Sequence, residues 1–265
     1  MHHRTYRLAS AATTAELRVT SAGLSVGRPL IACLHTAAEL HGFGVLAAAT
    51  THVATPPSRP LSRRPDLWPH QLAMHPLDLT ALPSGICATT PERTAVDLAR
   101  TLPPLDALPV LDAAIATGTC SPDSLAGELR RQTGQRGVAK ARELVRIADG
   151  RAESPQESRL RLRCHDAGLP RPTPQQPVAD RWGHARHWLD LGWEDAMVGL
   201  EYDGVDGHTG RAALRRDRRR HNWLTDRGWQ VFYATDLDVY RDHMDLLRKV
   251  CAALAQRSRQ RGATG

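Results

Sequence analysis

The stretch from Trp188 to Gly204, Trp-Leu-Asp-Leu-Gly-Trp-Glu-Asp-Ala-Met-Val-Gly-Leu-Glu-Tyr-Asp-Gly, constrains this chain more than any other. Apolar residues alternate with polar or glycyl ones at period two on both sides of Trp193-Glu194-Asp195-Ala196, which is the pattern of a β-hairpin. Pairing Gly192 with Met197 sets Leu191 against Val198, Leu189 against Leu200 and His187 against Tyr202 on one largely apolar face. The other face then carries Asp190 opposite Gly199, Trp188 opposite Glu201 and Arg186 opposite Asp203. A one-residue slip would put Leu189 and Leu191 on the side of Glu201 and Asp203, so burial and the acidic cluster demand the same register. Converging carboxylates are what a hard divalent cation binds. A plain acidic sheet edge, with Arg186 neutralising Asp203, accounts for the same residues without an ion.

At 265 residues, 41% of them hydrophobic, the chain is long enough for two modest cores. Its formal net charge of +7 favours polyanion partners through phosphate neutralisation. The five cysteines are odd in number and never spaced as a metal knuckle, so they read as small buried hydrophobes in a reducing cytoplasm. No apolar run approaches membrane-spanning length, and the N-terminus lacks the design of a secretory signal. The expectation is a cytoplasmic protein with no membrane partner.

Residues 1 to about 30 show little periodicity and read as a loosely held arm. A helix is expected from Cys33 to Leu46, then short strands at Thr51–Thr55, Gln71–His75 and Gly85–Thr89, with Pro56 to Pro69 a surface loop. Thr90-Pro91-Glu92 opens a helix, and three more follow at about 105 to 117, 122 to 132 and 137 to 148. Residues 31–150 thus form a mainly helical domain with a few strands. Asp149-Gly150 marks a boundary, after which Ser154-Pro155-Gln156-Glu157 is a capping box opening another helix. A three-strand meander, a helix, a strand and a terminal helix complete an αβββαβα order over residues 151–265. The fold class is α/β (α+β).

That order, with Glu157 in the first helix, Asp190 on the second strand and Glu201 on the third, resembles the PD-(D/E)XK nuclease superfamily. Within it, Glu157-Ser-Arg-Leu-Arg, Gly168-Leu-Pro, Leu189-Asp-Leu-Gly-Trp193, Leu200-Glu-Tyr-Asp-Gly204, Arg216-Asp-Arg-Arg219 and Gly228-Trp229 resemble a bacterial domain related to the very-short-patch repair endonuclease. The segments Leu34-His-Thr-Ala-Ala-Glu-Leu-His-Gly42 and Thr89-Thr-Pro-Glu-Arg-Thr-Ala-Val-Asp-Leu-Ala99 are similar to the type IV abortive-infection antitoxins.

The nuclease resemblance implies that Asp190 and Glu201 hold Mg²⁺ or Mn²⁺, with Glu157 joining directly or through water, and that the ion activates water against a phosphodiester. The superfamily's lysine belongs two residues after Glu201, where this chain has Asp203. Asp203 cannot stabilise phosphorane charge as a cation would, but it can ligate metal or act as a base. His208, or an arginine of the following helix, is the stand-in on the sequence. Arg215, Arg216, Arg218 and Arg219 form the densest basic run, a stripe suited to phosphates or simply a solvated helix face. His184 and His187 fall on opposite faces of a strand and do not make a zinc pair.

Two functions compete on this reading. One is a Mg-dependent endonuclease acting on nucleic acid, DNA foremost, in repair or phage defence. The other is a non-catalytic DNA-binding antitoxin or transcriptional regulator, with a cognate toxin as protein partner.

Overall fold

The computed structural model describes residues 13–46, 50–204 and 211–262, and divides into two compact units, 1–150 and 151–265. Each unit combines helices with a mixed sheet.

The first unit opens with helix α1 (Ala15–Val26), followed by β1 (Ile31–Ala32), α2 (Leu34–Leu40), β2 (Thr51–Thr55) and β3 (Leu67–Gln71). Strands β4 (Leu79–Ala81) and β5 (Cys87–Thr89) precede helices α3 (Pro91–Thr101), α4 (Pro104–Ala116), α5 (Pro122–Arg131) and α6 (Val138–Ile147). The five strands form one sheet in the order β3-β2-β1-β5-β4.

Two local expectations are corrected here. Residues 15–26 are not a loose arm: Thr14 accepts the Leu17 N–H as N-cap, and Ala15, Val19 and Ala22 are buried. The buried stripe is made of small side chains, which is why it escapes a search for bulky periodicity. The supposed loop up to Pro69 contains most of β3, with Pro69 tolerated because β3 is an edge strand.

An ionic network lies within this unit. Arg93 reaches Asp78 and Asp97, both at 2.7 Å, Arg100 reaches Asp97 at 2.9 Å, and Arg131 joins Asp78 and Glu128. Burial works against ionising Asp78, but the His75 N–H and the Arg131 and Arg93 guanidinium groups hold its carboxyl below the usual range. The network ties α3 and α5 to the turn before β4.

The second unit begins with α7 (Pro155–Asp166) and continues through β6 (Thr173–Ala179), β7 (Ala185–Trp193), β8 (Val198–Tyr202) and α8 (Arg211–Asp226). It ends with β9 (Gln230–Ala234), α9 (Asp236–Tyr240) and α10 (His243–Gly262). The sheet order is β6-β7-β8-β9, antiparallel up to β8 and parallel between β8 and β9. Leu160, Leu191, Trp193, Val198, Leu200 and Val250 pack one core on the α7 and α10 side. Val178, Leu189, Leu224 and Trp229 pack another under α8.

Ser154 caps α7, its hydroxyl accepting the Glu157 N–H at 3.2 Å. Ser154→Ala is expected to lower the stability of the protein by about 1 kcal/mol, read from urea unfolding. An unchanged midpoint would mean that solvent already serves this helix end.

The hairpin register differs from the expected one. Leu191 pairs with Leu200, Gly192 with Gly199 and Trp193 with Val198, so the four-residue connection is 194–197, one residue later than expected. Met197 adopts a left-handed φ of 52° after a 3₁₀ turn at Glu194–Ala196, which ends the loop there. Leu191 and Leu189 also belong to different cores, so the strict alternation in β7 breaks at Asp190. Leu189 lies where a Cβ on Gly199 would meet its Cδ1 at 2.8 Å. Across the sheet, Gln175 has φ 49°, and it is the residue skipped in the pairing of β6 with β7 between Pro174–Leu191 and Gln176–Leu189. The register is the same on both sides of Gln175, and the shift in the β6–β7 ladder comes between Val178 and Ala179.

Candidate functional site

The break in β7 brings Asp190 into reach of both helices that cover the sheet. Its Oδ2 accepts the Tyr202 N–H at 2.8 Å from the adjacent strand. Continued by one rung, the observed register sets Asp190 opposite Glu201 rather than opposite Gly199. Burial, and then the neighbouring Glu157 and Glu201 carboxylates, push the Asp190 carboxyl up to about 7, against the pull of the Tyr202 N–H and Arg220.

Glu157 comes from the first turn of α7 and is buried. Its Oε2 accepts the Glu153 N–H and the Gln175 side-chain amide, both at 2.9 Å. Only half of the expected capping box forms: Ser154 accepts the Glu157 N–H, but the Glu157 carboxylate returns to the Glu153 N–H rather than to that of Ser154. Glu201, on β8, is also buried, and its two oxygens accept from Arg220 of α8 at 2.6 and 2.5 Å. The same guanidinium donates to the Trp188 carbonyl at 2.7 Å. Burial opposes the charge on Arg220, but the Glu201 hydrogen bonds and charge outweigh it and raise its pKa.

Around these groups lies a cavity of about 210 Å³ walled by Asp190, Glu201, Tyr202, Asp203, Asp217, Arg220 and Tyr233. Asp203 is exposed at its rim, its N–H bonded to the Ala234 carbonyl at 2.7 Å. Arg186 does not neutralise Asp203; it pairs with Asp180 at 3.1 Å across the β6–β7 turn. His208 lies outside the described residues. Arg215, Arg216, Arg218 and Arg219 are exposed on α8 and do not line the cavity.

Arg220 is the site residue that the reading of the basic run passed over. Helical spacing could have found it: Leu224 is buried against the sheet, and positions four and seven before it are Arg220 and Asp217, the two α8 residues in the cavity wall.

The donor set can be tested against the ion that the nuclease resemblance implies. Both Glu201 oxygens are taken by a guanidinium, and Glu157 is bonded to a backbone amide and Gln175. Among the described residues, no three His, Cys, Asp or Glu side chains are gathered so that they could hold a metal ion. In this arrangement the site does not fit a divalent cation. Arg220 already supplies the positive charge that balances Glu201.

Residues 30–147 match the family model of the AbiEi antitoxin C-terminal domain. Over 248 residues the chain is 36% identical to Uncharacterized protein MT2308 and to Uncharacterized protein Rv2248, from two strains of Mycobacterium tuberculosis. The alignment covers 92% of this chain and 88% of each relative, so it spans both units. The chain belongs to their family. No solved structure matches the chain. Among the described residues no helix is long and apolar enough to cross a membrane.

Proposed function

We propose that this protein is a non-catalytic, nucleic-acid-binding regulator of antitoxin type, whose C-terminal unit uses a nuclease-like framework as a binding platform. One observation carries the reading: Glu201, the carboxylate on which ion binding would depend, is held at both oxygens by Arg220 of the same chain. The family match over residues 30–147 supports the antitoxin side, with a cognate toxin as the protein partner. The exposed Arg215, Arg216, Arg218 and Arg219 supply phosphate contacts, and DNA is the polyanion proposed. The cytoplasm, where the five free cysteines stay reduced, is the proposed compartment.

A Mg²⁺- or Mn²⁺-dependent phosphodiesterase of the very-short-patch repair type is the second reading. It is favoured by the closeness of Glu157, Asp190 and Glu201 that raises the Asp190 carboxyl. It requires Arg220 to leave Glu201 when an ion enters.

Incubating the purified protein with labelled DNA and Mg²⁺ or Mn²⁺ separates the two. The expected result is binding without cleavage, with an affinity that falls steeply with salt. Replacing the four arginines by glutamine should flatten the log–log salt slope by about 3–4, close to one unit for each phosphate that is no longer neutralised. Cleavage by the wild type that Asp190→Ala and Glu201→Ala abolish would overturn the first reading in favour of the second. Absence of binding at low salt would remove both.

A further inference from the structure

The turn between β6 and β7 has no part in either core, yet it is held firmly. Asp180 is 9% exposed, and its Oδ1 accepts the N–H groups of Trp182 at 2.9 Å and His184 at 3.1 Å, while its Oδ2 takes Arg186 Nε at 3.1 Å. Gly183 closes the turn with φ 85°, a conformation that suits glycine. What this scaffold presents is an indole. Trp182 is 63% exposed, with the Arg181 guanidinium 4.1 Å from its ring centroid.

A tryptophan left in water forgoes a large burial gain, so one fixed on a well-bonded turn is best explained by a contact made later. Further along the same strand, Trp188 is 50% exposed, and its carbonyl is bonded to Arg220 of the acidic pocket. Tyr233, in the wall of that pocket, is 41% exposed. Exposed Arg181 and Arg186 flank the two tryptophans. β7 starts three residues after Trp182 and runs through Trp188 to Asp190 in the pocket wall. Flat aromatic faces interleaved with guanidinium groups suit unpaired bases on a phosphate backbone; a duplex keeps its bases stacked inside.

We infer that the β6–β7 turn and the start of β7 form a base-stacking contact for unpaired nucleic acid, with bases seated on Trp182 and Trp188 and phosphates on Arg181 and Arg186. This deepens the nucleic-acid reading and rests on it. The ligand class it names is a single-stranded segment, alone or at a junction.

The test is fluorescence anisotropy of the full chain with labelled single-stranded and duplex oligonucleotides of one sequence. Wild type is expected to prefer the single strand. Trp182→Ala should cut that preference about tenfold and Trp182→Phe should retain most of it, since a phenyl ring still stacks. Near-UV circular dichroism checks that the variants are folded. Salt-dependent wild-type binding with equal affinity for both forms, or a Trp182→Ala variant whose preference is unchanged, overturns the stacking contact and leaves the binding platform standing. No binding of either form by wild type overturns the platform itself. Loss of toxin association in Trp182→Ala with the single-strand preference intact reassigns the indole to a protein partner and also overturns the inference.

Discussion

Arg220→Ala is expected to destabilise the protein by about 3 kcal/mol, the low end of what removing one partner from a buried ion pair costs. The Glu201 side chain is 7% exposed, so it cannot recover in water what it loses when the guanidinium goes. Arg220 is itself 30% exposed, which keeps the expected loss from being larger. The loss belongs to the orphaned carboxylate rather than to any intrinsic worth of the pair. The double variant Glu201→Leu with Arg220→Met should therefore recover most of the stability, because a packed apolar pair needs no counter-charge. Urea unfolding of Glu201→Leu, Arg220→Met and the double measures this coupling directly. Additive losses would show that Arg220 and Glu201 do not depend on each other.

The same variant separates the two functional readings. Once Arg220 is removed, no other cation among the described residues lines the pocket that Glu201 shares with Asp190. If the site is at heart a metal centre, Arg220→Ala should bind Mn²⁺ more tightly than wild type by calorimetry. If Arg220 is the resident charge of a binding platform, the variant should show no such gain, and its nucleic-acid affinity should fall with the lost positive charge.

What the sequence made legible, and what it did not, follows from the kind of signal involved. Helices α3, α5 and α7 were readable because their caps are local: Thr90, Ser121 and Ser154 each bond a backbone N–H within their own first turn. Which carboxylates approach one another was also legible, since Asp190 and Glu201 sit on adjacent strands in a hairpin whose apolar pattern is strong. The register was not. The two candidate connections have the same length, and the left-handed conformation at Met197, at the end of the observed one, has no signature in the residue type. Nor could alternation reveal that Leu189 and Leu191 serve different cores, because residues two apart in an extended strand are expected on one face. The Arg220–Glu201 pair spans 19 positions and crosses from strand to helix, so no local pattern announces it. Periodicity from Leu224 would have placed Arg220 inward, but the density of the surrounding arginines drew attention to the exposed ones instead.

Asp190 gives the second large expectation, a dependence of stability on pH. Its folded pKa of about 7 lies far above the ordinary aspartate value near 4, so the native state holds a proton that the unfolded chain has released. Between these two values ν_U is smaller than ν_N, and stability falls as pH rises. Below about pH 4 the carboxyl is neutral in both states and costs nothing; above about pH 7 it is charged in both, and the full penalty is present. Asparagine at this position keeps an oxygen for the Tyr202 N–H but cannot ionise. Asp190→Asn should therefore match wild type near pH 4 and exceed it by on the order of 3 kcal/mol at pH 8, a figure already lowered for the side chain's partial contact with water. Unfolding free energies of both proteins across this range give the difference curve. A flat difference would show that Asp190 ionises normally, and with it that Glu157 and Glu201 do not crowd it. A curve that bends near pH 7 would instead mean that, just below neutrality, the pocket presents one negative charge fewer to an approaching phosphate. Nucleic-acid binding by wild type should then weaken as pH rises through 7, and Asp190→Asn should remove that part of the pH dependence.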